Sequence, residues 1–307
     1  MIWGPILAWY LFLAGLGAGA YATVALANIM KPDESGRFQF GGRLLAPIIV
    51  IIGLLLLIID AEAGFHNPLR FFYLLSNWGS VMTWGTAILA LFTLVACLSA
   101  LLTIVKRPIP KALDYAGLFL ALSTAGYTGV LIGVVTSYPL WNSALLPVLF
   151  TVSAFSTGIS ATFLIAVFIA HREGEQLGSL KKLHFALPII EILLIASLLF
   201  VAANGNPAGA SSVASLVSGE FALLFWVGLI IIGLMLPIGL QLSESFLPAR
   251  ARKAQQEEPD EEPEEKAGKE KAGRGAALEV ISGTGALIGG FLLRYLVLMA
   301  AVPLMFL

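Results

Sequence analysis

Ionisable side chains inside long apolar stretches are costly, and where they occur they are paired or functional. This chain has several. Glu191 and Arg294 lie within apolar runs, and Asp60, Glu62 and His66 follow one another at the end of another. Tyr127 stands one turn beyond Ser123 and Thr124, and Tyr10 lies in the first run. A phenol, a carboxylate and an imidazole gathered at one level can donate hydrogen bonds and exchange protons. Glu191 and Arg294 have opposite charges and lie at expected depths of roughly 12 and 20 Å from one membrane surface by helix rise. They are read as a neutralised pair, with a part in a proton path as the functional alternative.

The elements that position these groups are eight apolar segments, about Ile2 to Met30, Leu44 to Ala63, Trp78 to Val105, Tyr115 to Tyr138, Leu145 to Ala170, Leu183 to Ala203, Phe221 to Leu242 and Val280 to Leu307. Each is long enough to cross about 30 Å of hydrocarbon as a helix. All Lys and Arg residues except Arg70 and Arg294 fall in four alternate loops. They are Lys31, Arg37 and Arg43; Lys106, Arg107 and Lys111; Arg172, Lys181 and Lys182; and a larger group from Arg250 to Arg274. The positive-inside rule then predicts that these loops are cytoplasmic and that both termini are extracytoplasmic. The fold class expected is an all-α integral membrane protein of eight transmembrane helices in two groups of four.

The composition of the 307 residues, 58% hydrophobic and 12% charged, agrees with a membrane domain. The first segment is too long for a signal peptide and lacks a basic n-region, so it is expected to be retained. The stretch Pro248 to Ala276 is rich in both acidic and basic residues and reads as a solvated, charged cytoplasmic linker, largely disordered with some charge-paired helix. Gly15 and Gly19, Gly129 and Gly133, and Gly285 and Gly289 have the spacing of close helix packing.

A single cysteine, Cys97, excludes an intrachain disulfide, a Cys-ligated zinc or an iron–sulfur cluster held by this chain alone. Membrane haem normally takes histidines from two helices at a matching depth. His66 is expected on the outer side and His171 and His184 at the inner face, so no haem is expected.

Six stretches in order resemble the NrfD/polysulfide reductase membrane-subunit family. They are Tyr10-Leu-Phe-Leu-Ala-Gly-Leu-Gly-Ala-Gly, Asn67-Pro-Leu-Arg-Phe, Ser80-Val-Met-Thr-Trp-Gly, Tyr127-Thr-Gly-Val-Leu-Ile-Gly, Pro139-Leu-Trp-Asn with Leu146-Pro, and Gly289-Gly-Phe-Leu-Leu-Arg-Tyr. The resemblance covers nearly all of the chain except the charged linker and implies one NrfD-like transmembrane domain over residues 1–307. It implies a quinone-reactive subunit of a larger oxidoreductase in a bacterial or archaeal cytoplasmic membrane, inactive alone. Its expected partners are a ferredoxin-like iron–sulfur subunit on the outer face, a molybdopterin catalytic subunit beyond it, and lipid, with no nucleic acid.

By that resemblance Tyr127 donates to an oxygen of menaquinone or ubiquinone. Tyr10, Ser123 and Thr124 are placed near it by their position, and Asp60 and His66 are chemically suited to exchange protons with the bound quinone. Arg70 and Trp141 are expected to contact the iron–sulfur partner. Some members of the family have polar side chains such as Asn or His in the first helix near the quinone, whereas here Leu11 to Ala22 offers only Tyr21. Two other readings remain. A secondary transporter would show an internal repeat and helices interrupted at the midplane. A purely structural anchor would keep quinone activity after Asp60 and Tyr127 were changed.

Overall fold

In the computed structural model, residues 4–30, 36–60, 77–170, 178–243 and 264–304 are described. These form nine helices with no strand among the described residues: α1 (Pro5–Met30), α2 (Gly36–Asp60), α3 (Val81–Ile104), α4 (Lys111–Gly133), α5 (Leu145–Ala170), α6 (Gly178–Gly205), α7 (Pro207–Val217), α8 (Leu224–Ser243) and α9 (Glu264–Met299). All but the short α7 contain a stretch long and apolar enough to span a membrane. With no water in hydrocarbon, a helix is the means by which such a run satisfies its own backbone groups. Caps mark two of the starts. Ser80 accepts from the Met82 amide at α3, and Asn206 accepts from the Gly209 amide at α7, with Pro207 in the first turn.

Three boundaries differ from the sequence reading. Helix α2 begins well before Leu44, so Arg43 lies inside a helix rather than in a solvated loop, and there it is fully buried. The connection between the sixth and seventh apolar segments, a small-residue stretch from Asn204 to Gly219 expected from the sequence to be a loop, contains α7. The stretch Pro248 to Ala276 is helical from Glu264 onward, and residues 248–263 lie outside the described residues. Over Leu224–Met235 the backbone of α8 is π-helical.

The first and fifth helices form the centre of the bundle. The apolar window of α1 is 89% buried, against 28% for that of α3. Helices α1 to α4 touch in a ring, as do α5, α6, α8 and α9, and the rings meet where α1, α2 and α4 pack on α5 and where α1 packs on α9. Small residues allow this. A Cβ on Gly19 would strike the Ala154 backbone and one on Gly158 the Gly19 backbone, so α1 and α5 cross in backbone contact. Gly129 lies against Pro147 in the same way, and Gly289 against Gly233. Large apolar side chains such as Leu94, Phe119, Phe200 and Leu223 point outward, as a lipid-facing surface requires. The start of α1 and the end of α9 share one face of the bundle, here the terminal face; the opposite one is the loop face.

Candidate functional site

Two tyrosines lie near each other below the terminal face. Tyr10 is five residues from the start of α1 and Tyr127 six from the end of α4, which puts both about 7–9 Å below that face. The hydroxyl end of the Tyr127 ring lies against Gly85 of α3, where any Cβ would overlap the ring and its hydroxyl. Tyr10 is close enough to interact electrostatically with Tyr127, and both are buried. Neither hydroxyl has a hydrogen-bond partner among the described residues. An unused donor in a low-dielectric setting is costly unless it serves a ligand.

The remaining candidates on this face are placed differently from one another. One turn deeper, Thr124 is buried with its hydroxyl also unpartnered, whereas the half-buried Ser123 donates to the Phe119 carbonyl. Asp60 is the last residue of α2 and therefore at the same face; its side chain, like His66, Glu62 and Arg70, lies outside the described residues. Trp141 is buried at 3% exposure, stacks on Tyr138 and donates its indole N–H to the Val297 carbonyl at 2.7 Å. It therefore fastens the α4–α5 connection to α9.

Glu191 and Arg294 come together across Ser153. Arg294 Nη1 donates to Ser153 Oγ at 3.1 Å and to the Gly290 carbonyl at 2.6 Å, while the Ser153 hydroxyl also interacts with the Glu191 carboxyl. The guanidinium lies over the rings of Phe150 and Phe12, at 5.2 and 5.8 Å. A Cβ on Gly15 would sit 2.8 Å from Arg294 Nη2, so the first glycine of that pair makes room for a charge rather than for a helix. The arrangement is a neutral, mutually oriented group at the centre of the bundle. Ser153, invisible as a site residue in a run of small side chains, is its bridge.

A second buried group was missed by the sequence reading. Arg43 Nη2 and Asp114 Oδ1 form an ion pair at 2.8 Å, and both residues are at most 1% exposed. This contact is off the line of an N–H bond, and Arg43 Nε has no partner. Arg43 Nη1 donates to Ser99 Oγ at 3.2 Å, Ser99 shares a hydrogen bond with Tyr21, and Asn28 donates to Asp114 Oδ2 at 2.6 Å. The network draws on α1, α2, α3 and α4 near the loop face. An acid in the first turn of α4 was the available signal. Among the described residues no three His, Cys, Asp or Glu side chains converge as a metal site.

Residues 1–253 match the family described as "Polysulphide reductase, NrfD". The C component of the polysulfide reductase of Wolinella succinogenes is 35% identical over 272 residues, covering 79% of this chain and 84% of that protein. Protein NrfD of Escherichia coli is 30% identical over 275 residues, 78% of this chain and 84% of that one. The C component of the selenate reductase of Mesobacillus selenatarsenatis is 22% identical over 284 residues, covering 77% and 65%.

Proposed function

This chain belongs to the NrfD polysulphide reductase family, and on that premise we propose that it is the quinone-reactive membrane subunit of a multi-subunit oxidoreductase. It exchanges electrons and protons between menaquinone or ubiquinone and an extracytoplasmic iron–sulfur subunit, beyond which lies a molybdopterin catalytic subunit. The relatives named for polysulfide and selenate reduction support a role within such a complex. The observation that carries the quinone reading is the pair of adjoining buried phenols, Tyr10 and Tyr127, with unused hydroxyls.

A bound quinone supplies two-electron, two-proton chemistry. Tyr127 donates a hydrogen bond to one of its oxygens, Tyr10 lies against the same headgroup, and the unpartnered Thr124 hydroxyl borders it from below. Asp60, at the end of α2, and His66 exchange protons with it from the terminal face. The loops 66–77 and 139–146 receive the iron–sulfur subunit, with Arg70 as the positive charge on that face and Trp141 holding the second loop in place. This orientation puts both termini outside a bacterial or archaeal cytoplasmic membrane, and the two rings of contacts support two groups of four helices.

In the assembled complex, Tyr127→Phe is expected to weaken quinol or quinone-site inhibitor binding by about 1–3 kcal/mol, the cost of one buried hydrogen bond. Unchanged turnover and inhibitor affinity would remove Tyr127 from the site. Glu191 and Arg294 form the inner part of a proton route to the quinone. Glu191→Gln is expected to leave the complex assembled and to abolish the membrane potential generated by turnover in vesicles. A surviving potential would make the group structural.

A further inference from the structure

At the loop face, α5, α6, α8 and α9 enclose a cavity of about 420 Å³. Ser160, Lys182, His184, Gln241, Glu279 and Ser282 line it. At about 30 Å³ per water the volume admits roughly a dozen waters, with room for a small molecule such as imidazole. His184 is 7% exposed, with Phe163 edge-on at 5.6 Å. Both of its ring nitrogens are engaged. Ser160 Oγ lies 2.8 Å from Nε2 and Gln241 Nε2 lies 3.1 Å from Nδ1. Ser160 gives its own hydrogen to the Ser156 carbonyl, so it accepts from Nε2–H, and the Gln241 amide donates to Nδ1. That network assigns one neutral tautomer. Among the described residues, the charged groups facing the cavity are Lys182, on the same helix, and Glu279 on α9, and the described lining residues of α5 and α8 carry no charge.

His184 and Glu191 share the buried face of α6, two turns apart, a rise of about 10 Å. Alongside them on α5 run the buried hydroxyls of Ser160, Ser156 and Ser153, at helical steps of four and three residues, and the last of these reaches Glu191. A cavity open towards the loop face, a histidine at its wall and a file of hydroxyls ending on a buried carboxyl form one line.

We propose that this cavity is a hydrated antechamber and that His184 is the relay residue passing protons from it to Glu191. The proposal rests on the reading of Glu191 as a proton carrier and names what supplies it. A proton from cavity water binds Nδ1 as the Gln241 amide turns to present Oε1. The proton on Nε2 passes to Ser160 Oγ, whose own hydrogen moves on through Ser156, Ser153 and single waters between them. It ends on the Glu191 carboxylate as the carboxylic acid. Exchange with cavity water then returns the ring to its starting tautomer, so one proton enters, one leaves and no electron moves.

The test uses the whole complex reconstituted in vesicles, reading membrane potential per quinone converted. His184→Ala is expected to lower that ratio about a hundredfold, on the scale of a lost acid–base group. Imidazole added on the loop-face side should restore most of it by occupying the vacated volume. Ser160→Ala should show the same loss without rescue, and it decides the matter if His184→Ala does not assemble. An undiminished ratio in either variant overturns the relay, as does a loss in His184→Ala that imidazole leaves untouched. A wild-type complex that converts quinone with no potential overturns the Glu191 route along with the relay, and one that converts no quinone overturns the proposed function itself.

Discussion

Arg43 and Asp114 show what a charge at membrane depth demands. Each is buried, each has the other at 2.8 Å, and Ser99 and Asn28 take up part of the remaining hydrogen-bonding capacity. Removing one partner strands the other, so Asp114→Ala is expected to cost about 3–5 kcal/mol. The Arg43→Met, Asp114→Leu double variant should recover most of that loss, because no charge is then left unpaired. Thermal unfolding of the purified protein in detergent checks both. A single variant as stable as the parent would show that the pair contributes nothing. Gly85 gives a second test at this scale. Any Cβ there overlaps the Tyr127 ring, so Gly85→Ala must displace the phenol while leaving it chemically intact. Its quinone-site inhibitor affinity is expected to fall by about 1–3 kcal/mol, like that of Tyr127→Phe. Wild-type affinity would place the headgroup elsewhere.

At the scale of the helix, the crossing of α1 and α5 is the joint on which the bundle depends. Gly19 and Gly158 bring the two backbones into contact with no room for a side chain. Gly158→Leu is therefore expected to push the helices apart and prevent stable assembly, whereas Gly205→Ala, where nothing lies within 4 Å, should be tolerated. Yield of folded protein by size-exclusion chromatography separates the two. Glycine spacing in the sequence correctly marked Gly19 as a contact. It did not mark the different use of Gly15, whose open space holds the guanidinium of a residue almost the whole chain away. Neither did it find Gly158, which lacks a glycine four residues before or after it.

For the molecule as a whole, the proposed orientation predicts the side on which each loop lies. A reporter enzyme active only outside the cytoplasm should be active when fused after Leu307 and inactive when fused within 248–263; the reverse result would invert the sidedness and with it the docking face. The spans themselves were legible. An apolar run must exceed a minimum length to cross about 30 Å, and inside hydrocarbon it has to be helical, so run length alone yields eight candidates. The ordered motifs from Tyr10 to Tyr295 carried the family resemblance, and the match over residues 1–253 agrees with it.

What the sequence could not decide is which helix faces meet. In these spans the side chains are apolar nearly all round, so periodicity marks no face that must turn inward. Tyr10 beside Tyr127, Ser153 between Glu191 and Arg294, and His184 on a cavity wall each require the rotation of helices distant in sequence. The same is true of Arg43. Counted along the chain it is one more basic residue near a loop expected to be cytoplasmic; only when α2 extends past it and α4 brings up Asp114 does it become a buried ion pair. Chain length and apolar character determine how many times the protein crosses the membrane. Tertiary packing decides which of its few charged groups meet, because in a medium without water a charge needs a partner, and Arg43 with Asp114 and Glu191 with Arg294 find theirs across helices.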